Sequence, residues 1–158
     1  MHFIAALRYL LAAAAAGTRI ARVACFSALL QEHLVPVDTV NATAVTDTGC
    51  SGIISMTFAT EFKRGTEVEI VTTKGSVLWT PVSVKVVKDA SLVVRSEVTK
   101  EFGQSTGVVE EMAAFAAAIE QGNLDEPQTP LEALRDLEVL QRLLESGEEN
   151  AAVKAVEL

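Results

Sequence analysis

Two short groups of residues in this 158-residue chain have side chains suited to moving protons. Gln31-Glu32-His33 falls in the connection between two predicted strands, where a loop can overhang a cavity. An imidazole beside a carboxylate is the stock of general acid–base catalysis. His33 and Glu32 are therefore candidates, with a solvated polar loop as the alternative reading of the same residues. His2 opens an apolar, helix-patterned segment, with Arg8 and Tyr9 two turns further on. Position alone makes His2 a terminal residue of no special role.

Other chemistries are excluded more sharply. No G-x-G-x-x-G follows a predicted strand and no G-x-x-x-x-G-K-[ST] occurs, so the chain carries no recognisable phosphate cradle for a dinucleotide. It is not expected to act alone as a nicotinamide dehydrogenase, and no cofactor is assigned to it. Ser51 and Ser55 lie in a strand without a G-x-S-x-G elbow, which argues against a hydrolase nucleophile. Glu110-Glu111 and Glu148-Glu149 read as solvated helix surface, not as buried dyads with separated pKa values. Cys25 and Cys50 have no metal-ligand spacing, and His2 and His33 are far apart with no H-E-x-x-H. The cysteines are expected as small buried or half-buried thiols, and no metal site is expected.

The elements that must position these groups follow from hydrophobic period. Phe3, Leu7, Leu10 and Leu11 recur at helical spacing ahead of an alanine run, with Gly17 as the stop. Alternating, β-branched segments then predict strands over Ile20–Leu29, Thr39–Thr46, Gly52–Phe62, Glu67–Thr73, Ser76–Trp79, Val82–Lys88 and Leu92–Thr99. Asp47-Thr48-Gly49, Lys74-Gly75 and Lys88-Asp89-Ala90 are the turn signals between them. Links this short require antiparallel neighbours. Ile54, Met56, Phe58 and Phe62 alternate with Ser55, Thr57 and Glu61, and Thr39, Asn41 and Thr43 repeat the polar side. One sheet face should therefore pack on helices, leaving a Ser/Thr-rich face for solvent or a sheet-to-sheet contact. Trp79 packs in its hairpin or walls a pocket.

Helical period returns after Gly103. Val108, Met112, Phe115, Ala116 and Ile119 form one apolar stripe, ended by Gly122. Thr129-Pro130, with Glu132 three residues on, is a capping box with proline at the first helical position. Leu134, Leu137, Leu140 and Leu144 supply the stripe of that last helix, and Gly147 its stop. The tail from Ala152 to Leu158 adds a short edge strand or frays. The expected architecture is α+β: an open, mostly antiparallel sheet with helices packed on one face, in a single domain over residues 1–158.

Composition narrows the partners. Nearly half the residues are hydrophobic and few are aromatic, so the core must come from Val, Ile, Leu and Ala. A formal charge of −8 argues against nucleic acid and against anionic membrane surfaces. Residues 1–17 have the apolar run of a signal peptide but lack its basic start, and Arg8 interrupts them. They are read as a buried or amphipathic helix, too short and too interrupted to span a bilayer, and a cytoplasmic location is expected.

Several segments, taken in order, resemble the C-terminal domain of the glucose–fructose oxidoreductase / inositol dehydrogenase (Gfo/Idh/MocA) family. Met1-His2-Phe3 with Ala6-Leu7-Arg8-Tyr9-Leu10 resembles the end of that family's Asp-x-Gly-x-His motif and the helix it opens, with His2 at the histidine. Val37-Asp38-Thr39-Val40 and Thr48-Gly49-Cys50-Ser51-Gly52 resemble a strand pair with its Gly-x-x-Gly hairpin. Glu69-Ile70-Val71 through Lys74-Gly75-Ser76-Val77 resembles the next hairpin. Gly107-Val108-Val109-Glu110-Glu111-Met112, with Phe115 and Ile119, and then Pro130 to Asp136, resemble the closing helices. The resemblance covers essentially the whole chain. It implies a sheet whose open face makes the oligomer interface, and a pocket for a sugar, polyol or similar molecule. The nucleotide-binding half has no counterpart in this sequence, nor does the Glu-Lys-Pro lysine that works on the substrate.

Three functions are compatible with that pattern. A free-standing domain would bind a small organic molecule and use His2, Tyr9, Glu32 and His33 for cofactor-free isomerisation, dehydration or cyclisation. A piece of an NAD(P)-dependent sugar or polyol oxidoreductase would take its function from the parent. A non-catalytic module would pair with its own copies through the sheet. A small-molecule substrate and self-association are the expected partnerships.

Overall fold

The computed structural model describes residues 2–14, 17–62, 65–91, 94–103, 105, 107–123 and 128–158. Met1, Ala15, Ala16 and Leu92, which entered the expectations above, lie outside them. The elements run α1 (His2–Ala14), β1 (Ile20–Ala28), a 3-10 turn (Glu32–Leu34), β2 (Thr39–Thr46), β3 (Ser51–Thr57), β4 (Val68–Thr72), β5 (Gly75–Thr80), β6 (Ser83–Ser91), β7 (Val94–Glu101), α2 (Val108–Gln121), α3 (Pro130–Glu148) and β8 (Lys154–Ala155). The α+β class and the antiparallel pairing hold, but the strands divide into two four-stranded sheets, β3-β2-β1-β8 and β4-β5-β6-β7. The chain correspondingly forms two compact units, residues 62–123 and the remainder.

The first unit holds the sheet β3-β2-β1-β8 with α1 and α3. Strict alternation in β1, β2 and β3 sends Val23, Cys25, Ala42, Ala44 and Ile54 to one face, where they meet Ile4 of α1 and Val139 and Leu143 of α3. As the composition implied, no aromatic residue is in this core. The opposite face carries Asn41, Thr43, Ser55 and Thr57. Ser55 Oγ donates to Asn41 Oδ1 at 2.8 Å, and the hydroxyls of Thr39 and Thr57 lie 2.8 Å apart. This is the expected Ser/Thr-rich face, with Phe26 and Ile53 standing out from it, Ile53 85% exposed.

Several expectations for this unit are corrected. β3 ends at Thr57, whose hydroxyl accepts the Ala59 N–H at 3.2 Å and so turns the chain out of the ladder. Phe58 and Phe62 are consequently exposed, not inward-facing. In α3 the leucines at 134, 137 and 144 are substantially exposed, and the buried positions are Asp136, Glu138, Val139, Leu143 and Ser146. Specific partners set that face. Ser146 Oγ accepts the Cys25 N–H at 2.8 Å and donates to the Ala152 carbonyl at 2.7 Å, bridging helix, strand and tail. Gly147 does not stop the helix. It lies inside α3 where a Cβ would come 2.3 Å from Ser27 Oγ, so the missing side chain permits close contact with β1. Thr129 does cap α3, accepting the Glu132 N–H, with Pro130 at the first helical position. The tail forms the edge strand, with Arg22 opposite Ala155 and Val23 opposite Lys154. Beyond it, the Glu138 carboxylate accepts the N–H groups of Glu157 and Leu158.

The second unit is the meander β4-β5-β6-β7 followed by α2. Its register places Val68, Trp79 and Val84 in one row and Ile70, Val77, Val86 and Val98 in the next on the same face. Trp79 is thus a half-buried hairpin residue. Gly75 has φ +146, and a Cβ there would meet the Val87 carbonyl oxygen at 2.0 Å, so this turn admits only glycine. The reversal expected at Lys88-Asp89-Ala90 comes later, because β6 continues to Ser91 and pairs Asp89 with Arg95. α2 forms and ends at Gly122, whose N–H reaches the carbonyls of Ala118 and Ile119. Its expected core stripe is instead exposed at Val108, Met112, Phe115 and Ile119, while Ala118 is buried.

Candidate functional site

Within the first unit, α1, the start of β1 and the first turns of α3 enclose an open cavity of about 590 Å³. α1 contributes Arg8 and Tyr9 together with small residues, Ala5, Ala12 and Ala13, that leave the space unfilled. Thr18, Arg19 and Ile20 form a second side, and Glu132, Arg135 and Asp136 of α3 the third. The charged wall is tightly organised. Arg8 Nη2 donates to Glu132 Oε2 at 2.8 Å, and Nη1 donates to Asp136 Oδ1 and to the Glu132 carbonyl. Arg135 Nη1 donates to the other oxygen of Glu132. Burial pushes the Glu132 carboxyl up, but the hydrogen bonds and positive charge of Arg135 and Arg8 outweigh it and hold the group below its ordinary range. Asp136 is almost fully buried and is paired there with Arg8.

The four acid–base candidates are placed in two groups. His2 and Tyr9 lie on one face of α1, about 10 Å apart along the axis at 1.5 Å per residue. Tyr9, 65% exposed, borders the cavity; His2 is exposed in the first turn of the helix and is not part of its lining. Glu32 and His33 are exposed in the 3-10 turn between β1 and β2. Among the described residues none of the four side chains makes a hydrogen bond or ion pair, either with another of the four or elsewhere. Cys50 is exposed at the β2–β3 turn, unlike the buried Cys25, whose thiol burial pushes up.

Sequence reasoning missed two features. Arg8 was legible only as a charge interrupting an apolar run, and Glu132 only as a cap. Neither signal shows that three turns of two helices, more than 120 residues apart, would share one ion network. The second is Asp38, only 3% exposed. Its Oδ2 accepts the N–H groups of Leu30 (2.9 Å) and Gln31 (2.8 Å), and its Oδ1 accepts the Thr39 hydroxyl. Burial pushes this carboxyl up, but the Gln31 amide, the Thr39 hydroxyl and the Leu30 amide together hold it below its ordinary value. Asp38 thereby fixes the start of the loop that presents Glu32 and His33.

A dinucleotide does not fit the residues present. Among the described residues, β7 to α2 is the single strand-to-α-helix junction, and it carries Gly103 and Gly107 four apart without the close-set glycine triplet. Both sheets are antiparallel, without the parallel βαβ unit that builds such a cradle. No group of three or more His, Cys, Asp or Glu among the described residues is arranged to hold a metal ion, and no described helix is long and apolar enough to cross a membrane.

Comparison with known proteins adds the context. No family model matches the chain. It is 43% identical over 157 residues to dehydrogenase FPY6 of Fusarium mangiferae, a match covering 99% of this chain and 44% of that protein. Among solved structures it is similar to an oxidoreductase from Thermotoga maritima (TM-score 0.76, 19% identity, 98% of this chain and 42% of that one). It is also similar to a levoglucosan dehydrogenase in complex with NADH and levoglucosan (TM-score 0.76, 15% identity, 89% and 46%). A third is an inositol dehydrogenase homologue from Azotobacter vinelandii in complex with NADH and myo-inositol (TM-score 0.73, 14% identity, 96% and 48%). The chain spans less than half the length of each of these relatives. The chain has the fold that these oxidoreductases carry over somewhat less than half of their length.

Proposed function

We propose that these residues form the substrate-side domain of a nicotinamide-dependent dehydrogenase acting on a small polar molecule of the sugar or polyol class. The observation that carries this reading is the 43% identity to dehydrogenase FPY6, sustained over 99% of the chain. A nicotinamide bound to the part of such an enzyme outside these residues would supply the hydride acceptor. This chain contributes the substrate-facing wall and, at the exposed start of α1, the His2 imidazole as acceptor of the substrate's hydroxyl proton. Tyr9 lies on the same helix face. Among the described residues neither of these makes a hydrogen bond with Glu32 or His33 of the β1–β2 connection. That weighs against cofactor-free isomerisation, dehydration or cyclisation.

The test is oxidation of a panel of sugars and polyols by the enzyme carrying this chain, followed by NAD(P)H absorbance, for the natural protein and His2→Asn. The expected result is nicotinamide-dependent turnover that falls by about 10²–10⁴-fold in His2→Asn, chiefly in kcat, as loss of a general base implies. Turnover without nicotinamide, or full activity in His2→Asn, would overturn the assignment. Self-association through the polar face of β1–β3 is a second reading, supported by Phe26 and Ile53 standing exposed on that face. A strictly monomeric protein in sedimentation equilibrium would dismiss it.

A further inference from the structure

We propose that the cavity between α1, α3 and the start of β1 binds a small organic acid or phosphate ester, with its oxyanion held by Arg19 and Arg135. Three arginines line it alongside two acidic residues, in a chain of net charge −8. The arginines are not equally committed. Arg8 is held by Glu132 and Asp136, with its side chain only 19% exposed, and acts as a fixed strut. Arg135 shares Glu132 through one nitrogen, leaving most of its five N–H donors without a partner among the described residues. Arg19 is largely exposed and reaches its partner Asp47 through Nε alone, at 3.5 Å. The Tyr9 hydroxyl likewise has no partner among the described residues.

An ion network serving stability alone would have no need of a cavity or of spare donors. Guanidinium forks match planar carboxylates and tetrahedral phosphates alike. A volume of about 590 Å³ far exceeds one anion. The remaining space, bounded by Ala5, Ala12, Ala13 and the Tyr9 ring, suits a short apolar body attached to it. The cavity lies apart from exposed His2, and this inference does not rest on the dehydrogenase reading.

Titration calorimetry at low ionic strength with inorganic phosphate and with malonate separates the two anion chemistries. We expect one-to-one binding of at least one of them. Arg19→Gln and Arg135→Gln should each weaken it about tenfold or more, as loss of a charged hydrogen bond implies. Arg142→Gln, whose partners Glu138 and Glu145 lie outside the cavity, should bind as the natural protein does. Arg19 is exposed enough that its replacement leaves the fold intact. Failure of both anions to bind the natural protein, or unchanged binding in Arg19→Gln, would overturn the proposal.

Discussion

The two units of this chain solve the same problem, an antiparallel sheet with one apolar face, in different ways. In the first, helices cover the apolar face, and polar groups on them are tied to other elements: Arg8 to Glu132 and Asp136, Ser146 to Cys25, Glu138 to the tail. In the second, the rows through Val68, Trp79, Val84 and Ile70, Val77, Val86, Val98 are at most half-buried, and α2 buries Ala118 while exposing its large side chains. Its folding therefore rests more on backbone ladder and turn geometry than on a packed interior.

That contrast fixes where substitutions hurt. The largest expected effect is Leu143→Ala in the first unit, which should cost about 2–5 kcal/mol by emptying a fully buried site. Val86→Ala in the second should cost clearly less, and urea denaturation of both variants measures the difference. Equal losses would mean that the two interiors are equivalent. Next is Arg8→Met, expected to cost about 2–3 kcal/mol, because it leaves the buried Asp136 carboxylate uncompensated while part of the pair faces solvent. An Arg8→Met/Asp136→Leu double variant should recover much of that loss. Gly75→Ala should cost about 1–3 kcal/mol through strain at its turn, and hydrogen exchange should rise across β5 and β6 with β1 to β3 unaffected.

The smallest effect is one of pH. Asp38 has a folded pKa below its unfolded value, so it contributes stability above the ordinary carboxylate range, and that contribution disappears as pH falls through the lower, folded value. Asp38→Asn should be less stable than the natural protein near neutrality, and the gap should close in acid. A gap independent of pH would show that the carboxylate's charge is not what holds the loop.

Much of this architecture was legible in the residues. Alternation placed β1 to β3 and sorted their two faces, and Thr129-Pro130 with Glu132 located the start of α3 within a residue. What escaped depended on partners distant in sequence. The leucines of α3 suggested one buried face, but Arg8 and Cys25 draw Asp136 and Ser146 inward, and the helix turns accordingly. Gly147 looked like a stop, though its function is proximity to Ser27, which no local pattern records. The candidate site was legible in part. His2, Tyr9, Glu32 and His33 were named by chemistry, and the fold sets them on two elements, α1 and the β1–β2 connection. Arg19 and Arg135 had no signal in spacing, because the cavity they share is made by three segments of the chain.

The central claim is that this domain works as the substrate side of a nicotinamide dehydrogenase. Its most direct test is the native mass of the polypeptide or complex that carries the chain in its source, combined with an assay of that species for nicotinamide. The account predicts a species rather more than twice the 16.8 kDa of this chain, as the 44% coverage of dehydrogenase FPY6 implies, and nicotinamide binding that tracks with it. A species of about 17 kDa, matching this chain alone, that turns over a small molecule without nicotinamide would contradict it.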